Sequence, residues 1–434
     1  MRTPRTELVL NHTLPTGQSF RWRLNTDGDY VGVIGKRVVS MRQATDDVLY
    51  RVHCRPNGED ATHDAAAIAD YFNLSVSLAS LSVGWAKADA RFAKLEPHLP
   101  GCRMLRQDPA ECLFSFICSS NNHISRIHGM VERLCAAYGT KLVCHDDALR
   151  AMRKATTNPT GTPKKESNKN QSNQSTPTKD SSMDGEPLGD FYSFPTVDQL
   201  RAATEDDLRG MGFGYRAKFI AGSVSALIAK EGGADVHLSK LRNDCTYKEA
   251  QADLATLPGV GPKVAACACL FSLDKHDAIP VDTHVWQLAV EHYCRELEGK
   301  SLTPKVMDAV EDAIVGVFGA YAGWAHNTLF IAELAHVRAA LPEELRTPPR
   351  QKVATPKKEA KTKAKKKEGA SPKVERSSGK KSASKRKDSY KYDDAGETLD
   401  GLAMSPGEGK SGGFRIPKKT KAEPADEQPE SEYL

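Results

Sequence analysis

The run Leu257-Pro-Gly-Val-Gly-Pro-Lys-Val-Ala places Lys263 directly behind a glycine-rich corner. One helical stretch (Tyr247 to Thr256) precedes the corner and another (Pro262 to Leu273) follows it. Proline suits the first position of a helix, so Lys263 falls in the first turn, where the helix dipole disfavours an ammonium ion. An amine held there is predicted to have a lowered pKa and a free lone pair near neutral pH, as a nucleophilic lysine requires. A lysine that grips a phosphate would fit the same place. Gly259 and Gly261 have no side chain to obstruct such a phosphate, and their N–H groups, with those opening the second helix, can donate to it.

Spacing to an acid separates the two readings. Nineteen residues after Lys263 stands Asp282, in Ile279-Pro-Val-Asp-Thr-His-Val-Trp286, just ahead of another helix and two positions before His284. By its residue type and place Asp282 is an N-cap. A carboxylate returning beside a helix-start lysine can also take the amine's proton and stabilise positive charge developing on a sugar ring.

Two kinds of element must hold this pair. The first hundred residues contain short alternating segments (LVL, SFRWRL, YVGVIG, RVVSM) between Asp-Gly, Thr-Gly and Asn-Gly turn signals, the pattern of an antiparallel β-rich unit. From Asp64 the apolar spacing becomes helical, with Ala67, Ile68, Tyr71 and Phe72 on one face, and stays mostly helical to Leu341. The expected fold class is α+β: an N-terminal β-rich domain (1–100) and a mostly α-helical helix-hairpin-helix domain (101–349). Residues 155–186, dominated by Asn, Ser, Thr, Lys and Pro, read as a disordered insertion, and residues 350–434 as a disordered tail, basic then acidic.

Composition narrows the class further. The net charge of +5 is the balance of −3 over residues 1–349, +13 over 350–387 and −5 over 388–434. Charge alone would assign nucleic-acid contact to the tail, so any such specificity in the body would have to rest on individually placed residues. The tail clusters KTKAKKK and KKSASKRK read as a nuclear-import pattern. No stretch approaches the roughly 20 apolar residues of a membrane span, and no secretion signal is visible. Ten cysteines without CxxC spacing point to a reducing compartment, with neither a zinc site nor a four-cysteine iron–sulfur loop.

Beyond the corner and its acid, five separated stretches carry further information: Leu14-Pro-Thr-Gly-Gln-Ser-Phe-Arg-Trp22, Arg106-Gln-Asp-Pro109, Glu111-Cys-Leu-Phe-Ser-Phe-Ile-Cys-Ser-Ser-Asn-Asn122, Gly212-Phe-Gly-Tyr-Arg-Ala217 and Tyr321-Ala-Gly-Trp-Ala325. With Leu257–His284 they resemble the helix-hairpin-helix glycosylase superfamily, and within it the eukaryotic-type 8-oxoguanine DNA glycosylase/AP lyases. The resemblance covers residues 5–340 apart from the insertion.

The resemblance implies base-excision repair of double-stranded DNA containing oxidised guanine opposite cytosine, with the target nucleotide flipped out of the helix. Lys263 matches the nucleophile that attacks the sugar C1′, expels the base and forms a Schiff base, after which β-elimination nicks the strand. Asp282 matches the residue that activates it. Gly17 matches a backbone carbonyl that accepts the N7 hydrogen peculiar to the oxidised base, and Cys267 and Phe330 match the residues that sandwich that base. His326 stands where the animal enzyme has Gln against the Watson–Crick edge, and its protonation would make recognition pH-dependent. Asn121, Arg126 and Arg216 match residues that hold the orphaned cytosine, Tyr215 the wedge that fills the gap, and His284 a phosphate contact. The carbonyls of Ala255, Leu257 and Val260 match those of a structural cation at the hairpin. No required cofactor is implied, and the expected state is a nuclear monomer, a mitochondrial form being left open. Two positions depart from the pattern: His123 replaces a third Asn, and Ala266 replaces an acid. A water-using glycosylase for alkylated or mispaired bases would lack a lysine at 263. A non-catalytic hairpin module would need neither the Lys263/Asp282 pair nor Gly17, Asn121 and Phe330.

Overall fold

Period-two alternation and turn residues produce a single sheet in the first hundred residues. β1 (Arg23–Leu24), β2 (Tyr30–Ile34), β3 (Arg37–Gln43) and β4 (Val48–Cys54) pair antiparallel in sequence order, with Val31 opposite Ser40 and Val33 opposite Val38. Because successive side chains leave opposite faces, the sheet is apolar on both sides. Val31, Val33 and Val38 bury against Leu142 and Phe191, whereas Trp22, Val39 and Met41 bury with Ile68, Tyr71 and Phe72. The molecule, represented by a computed structural model, is described over residues 1–144 and 190–347. The sequence-predicted insertion (155–186) and tail (350–434) lie outside the described residues.

The remainder is helical, as the 3.6-residue spacing predicts. After the sheet come α1 (Ala61–Tyr71), α2 (Leu78–Ala88), α3 (Ala90–Leu95), α4 (Pro109–Cys118) and α5 (Ile124–Tyr138), then the short antiparallel pair β5 (Lys141–Leu142) and β6 (Phe191–Tyr192). Ten further helices follow: α6 (Val197–Leu200), α7 (Glu205–Gly210), α8 (Arg216–Ile228), α9 (Gly233–Asn243), α10 (Tyr247–Leu254), α11 (Pro262–Ser272), α12 (Thr283–His292), α13 (Pro304–Phe318), α14 (Ala322–Ile331) and α15 (Ala335–Ala340). Helices α4 and α11 form the centre: every residue from Ala110 to Cys118 in α4 and from Val264 to Ser272 in α11 is buried, and the two helices pack on each other.

Polar residues tie the sheet to this centre. The guanidinium of Arg103, with no exposed surface, donates to the carbonyls of Phe72, Asn73, Val76 and Glu7 and to the Glu7 carboxylate at 2.7 Å. A buried arginine is tolerable only when its donors are satisfied in this way. Arg106 bridges Asp70 at the end of α1 and Asp274 just beyond α11, at 2.7 and 2.8 Å. All ten cysteines are free thiols, eight of them buried.

Candidate active site

The corner between α10 and α11 is fixed from outside. Gly259 has φ +78°, and a Cβ there would lie 2.4 Å from Cγ of Phe219 on α8, so both backbone conformation and packing demand glycine. The Pro258 carbonyl accepts from the Ser223 hydroxyl of α8 at 2.9 Å. Gly261 begins α11 with open space where its side chain would be. Ala255, Leu257 and Val260 surround the corner; the Leu257 carbonyl accepts from the Val260 N–H at 3.1 Å.

Lys263 sits in the first turn of α11, half-buried, its amine 5.2 Å above the ring of Phe116 on α4. That ring is itself held, edge-on to Phe20 at 5.6 Å and stacked on Phe271 at 5.3 Å. Lys263, Cys267 and Phe271 follow at four-residue steps along one face of α11. The expected depression of the lysine pKa is not what this surrounding produces. Burial pulls the amine down, but the Cys267 sulfur and the Asp282 carboxylate beside it push harder in the other direction, and the net direction is up. The dipole argument considered the helix alone, whereas two neighbours decide the outcome.

Asp282 is the N-cap that its residue type and place predict. It caps α12, accepting from the N–H groups of His284 and Val285 at 2.9 and 3.0 Å, and it lies close enough to Lys263, Cys267 and His326 to influence the protonation of each. His284 is exposed, its Nδ1 3.8 Å from the Asp282 carboxylate. Cys267 is buried and its thiol is pushed up by burial, against the pull of Lys263.

His326 and Phe330 come from α14, their rings tilted against each other at 6.4 Å. His326 is 5 % exposed, and neither ring nitrogen has a hydrogen-bond partner among the described residues. Burial lowers its pKa to about 4, the nearby Asp282 notwithstanding. The expectation of pH-dependent recognition through His326 is therefore corrected: a ring desolvated this deeply stays neutral across the physiological range. Gly17 occupies the left-handed region at φ +88° in the loop before β1, and among the described residues nothing donates to its carbonyl. Its loop reaches the lysine through Phe20 and Phe116.

A second cluster forms between the start of α5 and the start of α8. Asn121 is exposed and left-handed at φ +47°. Arg216 is buried, donating to the carbonyls of Ser120 and, at 2.9 Å, Asn121, while its guanidinium lies 4.5 Å from the centre of the Tyr215 ring. Tyr215 is 48 % exposed, donates to the same Ser120 carbonyl and meets Phe219 edge-on, so this cluster and the glycine corner share one aromatic support. Arg126 is exposed on α5 and near Arg133, which it disfavours electrostatically. Phe116 is a contributor that sequence reading passed over, since nothing distinguished it from its apolar neighbours.

A glycine hairpin presenting a lysine and a capping aspartate, beside a four-stranded sheet, defines a base-excision repair protein of the helix-hairpin-helix class. Residues 1–113 match the family described as 8-oxoguanine DNA glycosylase, N-terminal domain, and residues 114–309 the HhH-GPD superfamily of base excision DNA repair proteins. The chain is 44 % identical to the N-glycosylase/DNA lyase OGG1 of Arabidopsis thaliana over 77 % of its own length and 80 % of that protein's. It is 32 % identical to the N-glycosylase/DNA lyase of Saccharomyces cerevisiae, covering 76 % and 84 %. Its fold resembles the Clostridium acetobutylicum 8-oxoguanine glycosylase/lyase solved with DNA containing cytosine opposite 8-oxoG, with a TM-score of 0.57 and 25 % identity over 77 % of this chain and 92 % of that one. The chain belongs to the 8-oxoguanine N-glycosylase/DNA lyase family. Among the described residues no helix is long and apolar enough to cross a membrane, and no group of three or more His, Cys, Asp or Glu side chains is disposed to hold a metal ion.

Proposed function

We propose that the enzyme removes 8-oxoguanine paired with cytosine from duplex DNA and then nicks the strand at the resulting sugar. The observation that carries this reading is the Lys263 amine in the first turn of α11, directly behind the glycine corner and within electrostatic reach of Cys267 and Asp282. Lys263 Nζ attacks C1′ as the bond to the base N9 breaks and the base leaves with a proton; the C1′–O4′ bond then breaks, opening the sugar as the deprotonated amine becomes the imine, and loss of a C2′ proton breaks the C3′–O bond and expels the 3′ phosphate. Because neighbours favour the ammonium form, the amine must surrender a proton on the way to attack, and the Asp282 carboxylate is the base beside it. The same carboxylate offsets positive charge developing on the sugar.

Recognition is divided between the two parts, residues 1–100 contributing Gly17 and 101–349 the chemistry. The unpaired Gly17 carbonyl is an acceptor for an N7 hydrogen. Cys267 and Phe330 flank the base, and the neutral, unpartnered His326 faces its polar edge as one donor and one acceptor. Asn121, Arg126 and Arg216 hold the orphaned cytosine, with Tyr215 as the wedge. Arg216 is engaged with the Ser120 and Asn121 carbonyls, so binding cytosine requires it to share or exchange those bonds. Gly261 and His284 take phosphates, and the Ala255, Leu257 and Val260 carbonyls suit a hard cation by donor type, which would bridge the corner to DNA. The working compartment is the nucleus.

Borohydride trapping tests the reading. A duplex with 8-oxoguanine opposite cytosine should give a covalent complex that disappears in Lys263→Gln; trapping that persists in that variant refutes the lysine assignment. Replacing the opposing cytosine by adenine should markedly slow excision, and equal rates would refute the cytosine contacts.

A further inference from the structure

We propose that Gln107 is a positioning residue for base reading, holding the Gly17 loop in register with the helix that carries Lys263; this rests on the function proposed above. Gln107 lies in the extended segment just ahead of α4, only 2 % exposed, and its backbone N–H, backbone carbonyl and side-chain amide each bond a different segment. Its backbone N–H donates to the Phe271 carbonyl in the last turn of α11 at 2.8 Å. Its backbone carbonyl accepts from Arg242 of α9 at 2.8 Å. Its side-chain amide donates to the carbonyl of Gln18 at 2.8 Å, across to the loop of Gly17.

The loop end is as tightly held. Gln18 is 1 % exposed, its side chain donating to the Arg103 carbonyl at 3.0 Å and accepting from the Leu105 N–H at 3.1 Å. Alternate residues of the extended segment 103–107 thus clamp Gln18 by its side chain and its carbonyl. Gln18 supplies the nitrogen of the peptide group whose oxygen is the Gly17 carbonyl. With Gly17 in the left-handed region, few other contacts could fix the direction of that oxygen. Of the three bonds between segment 103–107 and Gln18, the one from the Gln107 amide belongs to a residue that also binds α11. Phe271, the residue it binds there, is the one whose ring stacks on Phe116 beneath the lysine amine. Removing the amide leaves the nucleophile supported and frees the acceptor loop to drift.

This separates base reading from chemistry on a sugar that carries no base. In Gln107→Met, which keeps length and apolar bulk but donates nothing, single-turnover excision of 8-oxoguanine opposite cytosine should fall about 10- to 100-fold, the scale of a misplacement near 1 Å. Strand nicking at a preformed abasic site opposite cytosine should stay within about twofold of wild type. Gln107→Glu, which sets a carboxylate against the Gln18 carbonyl, should show the same split, only larger. Rates are normalised to the fraction of molecules trapped by borohydride on abasic DNA, which counts folded, lysine-competent enzyme and removes any loss from misfolding. Parallel loss on both substrates makes Gln107 a structural residue only and overturns the proposal, as does no loss on either. Failure of the underlying function is distinct, since wild-type enzyme would then leave 8-oxoguanine intact.

Discussion

Replacing Asp282 by Asn separates the two tasks that one carboxylate performs. As a cap it satisfies the N–H groups of His284 and Val285 at 2.9 and 3.0 Å. Asn is an N-cap of similar quality, so Asp282→Asn should change folding stability by only about 0.5 kcal/mol or less, whereas Asp282→Ala, which orphans both donors, should cost about 1–2 kcal/mol. The charge is a separate matter. Asp282 acts electrostatically on Lys263 and on His326, from a side chain that is itself half-buried. Loss of one preorganised group aimed at transition-state charge costs about 2.7–4 kcal/mol, or roughly 10²- to 10³-fold in rate. The assay pairs urea unfolding with single-turnover excision on saturating enzyme, and measures duplex affinity separately. Stability and binding should survive in the Asn variant while the rate falls at least 10²-fold. An Asn variant that excises within about fivefold of wild type would reduce Asp282 to a cap, and the charge argument would fail.

Other consequences can be measured independently. Gly259→Ala should lose about 2–4 kcal/mol in urea unfolding, from its positive φ and the clash with Phe219, while Gly261→Ala should stay within about 0.5 kcal/mol; equal losses would contradict the packing of the corner. Burial raises the Glu111 carboxyl to about 7. A raised acid contributes its stability below the unfolded pKa near 4.5 and loses it as pH rises through 7, so relative to Glu111→Gln the wild type should lose about 3 kcal/mol between pH 4.5 and 8. Parallel stability curves for the two proteins would refute a neutralised Glu111. His326 should titrate by NMR at about 4, and a titration near the ordinary imidazole value would show that water reaches the ring.

Local chemistry was readable in the chain. Pro262 and Lys263 in the first turn of α11 and Asp282 ahead of α12 follow from residue type and spacing, as do the alternating strands β2 to β4. The two-residue strands β5 and β6 carry too few positions for any period to register. The state of Lys263 was misjudged because Cys267, one turn along α11, and Asp282, which arrives through the fold, outweigh burial. Phe116 and Gln107 gain their roles from contacts about 150 residues away in sequence, with Lys263 and Phe271. Arg216 was placed by its motif, yet its hold on Ser120 depends on α8 facing the end of α4. Position along a helix is a short-range fact, and what a side chain touches there is not.

Burial also governs how this chain ages chemically. Peroxides attack the thiolate, and seclusion pushes the thiols of Cys118 and Cys135 up to about 12 and that of Cys294 to about 11. At pKa 12 about one thiol in 10⁵ is ionised at pH 7. The ordinary thiol of a surface cysteine would be ionised about three thousand times more often. An enzyme whose substrate is itself a product of oxidation thus carries its sulfur in a form slow to share that fate. These buried cysteines serve as small hydrocarbon-like packing units whose redox chemistry is held in check for as long as the core stays closed.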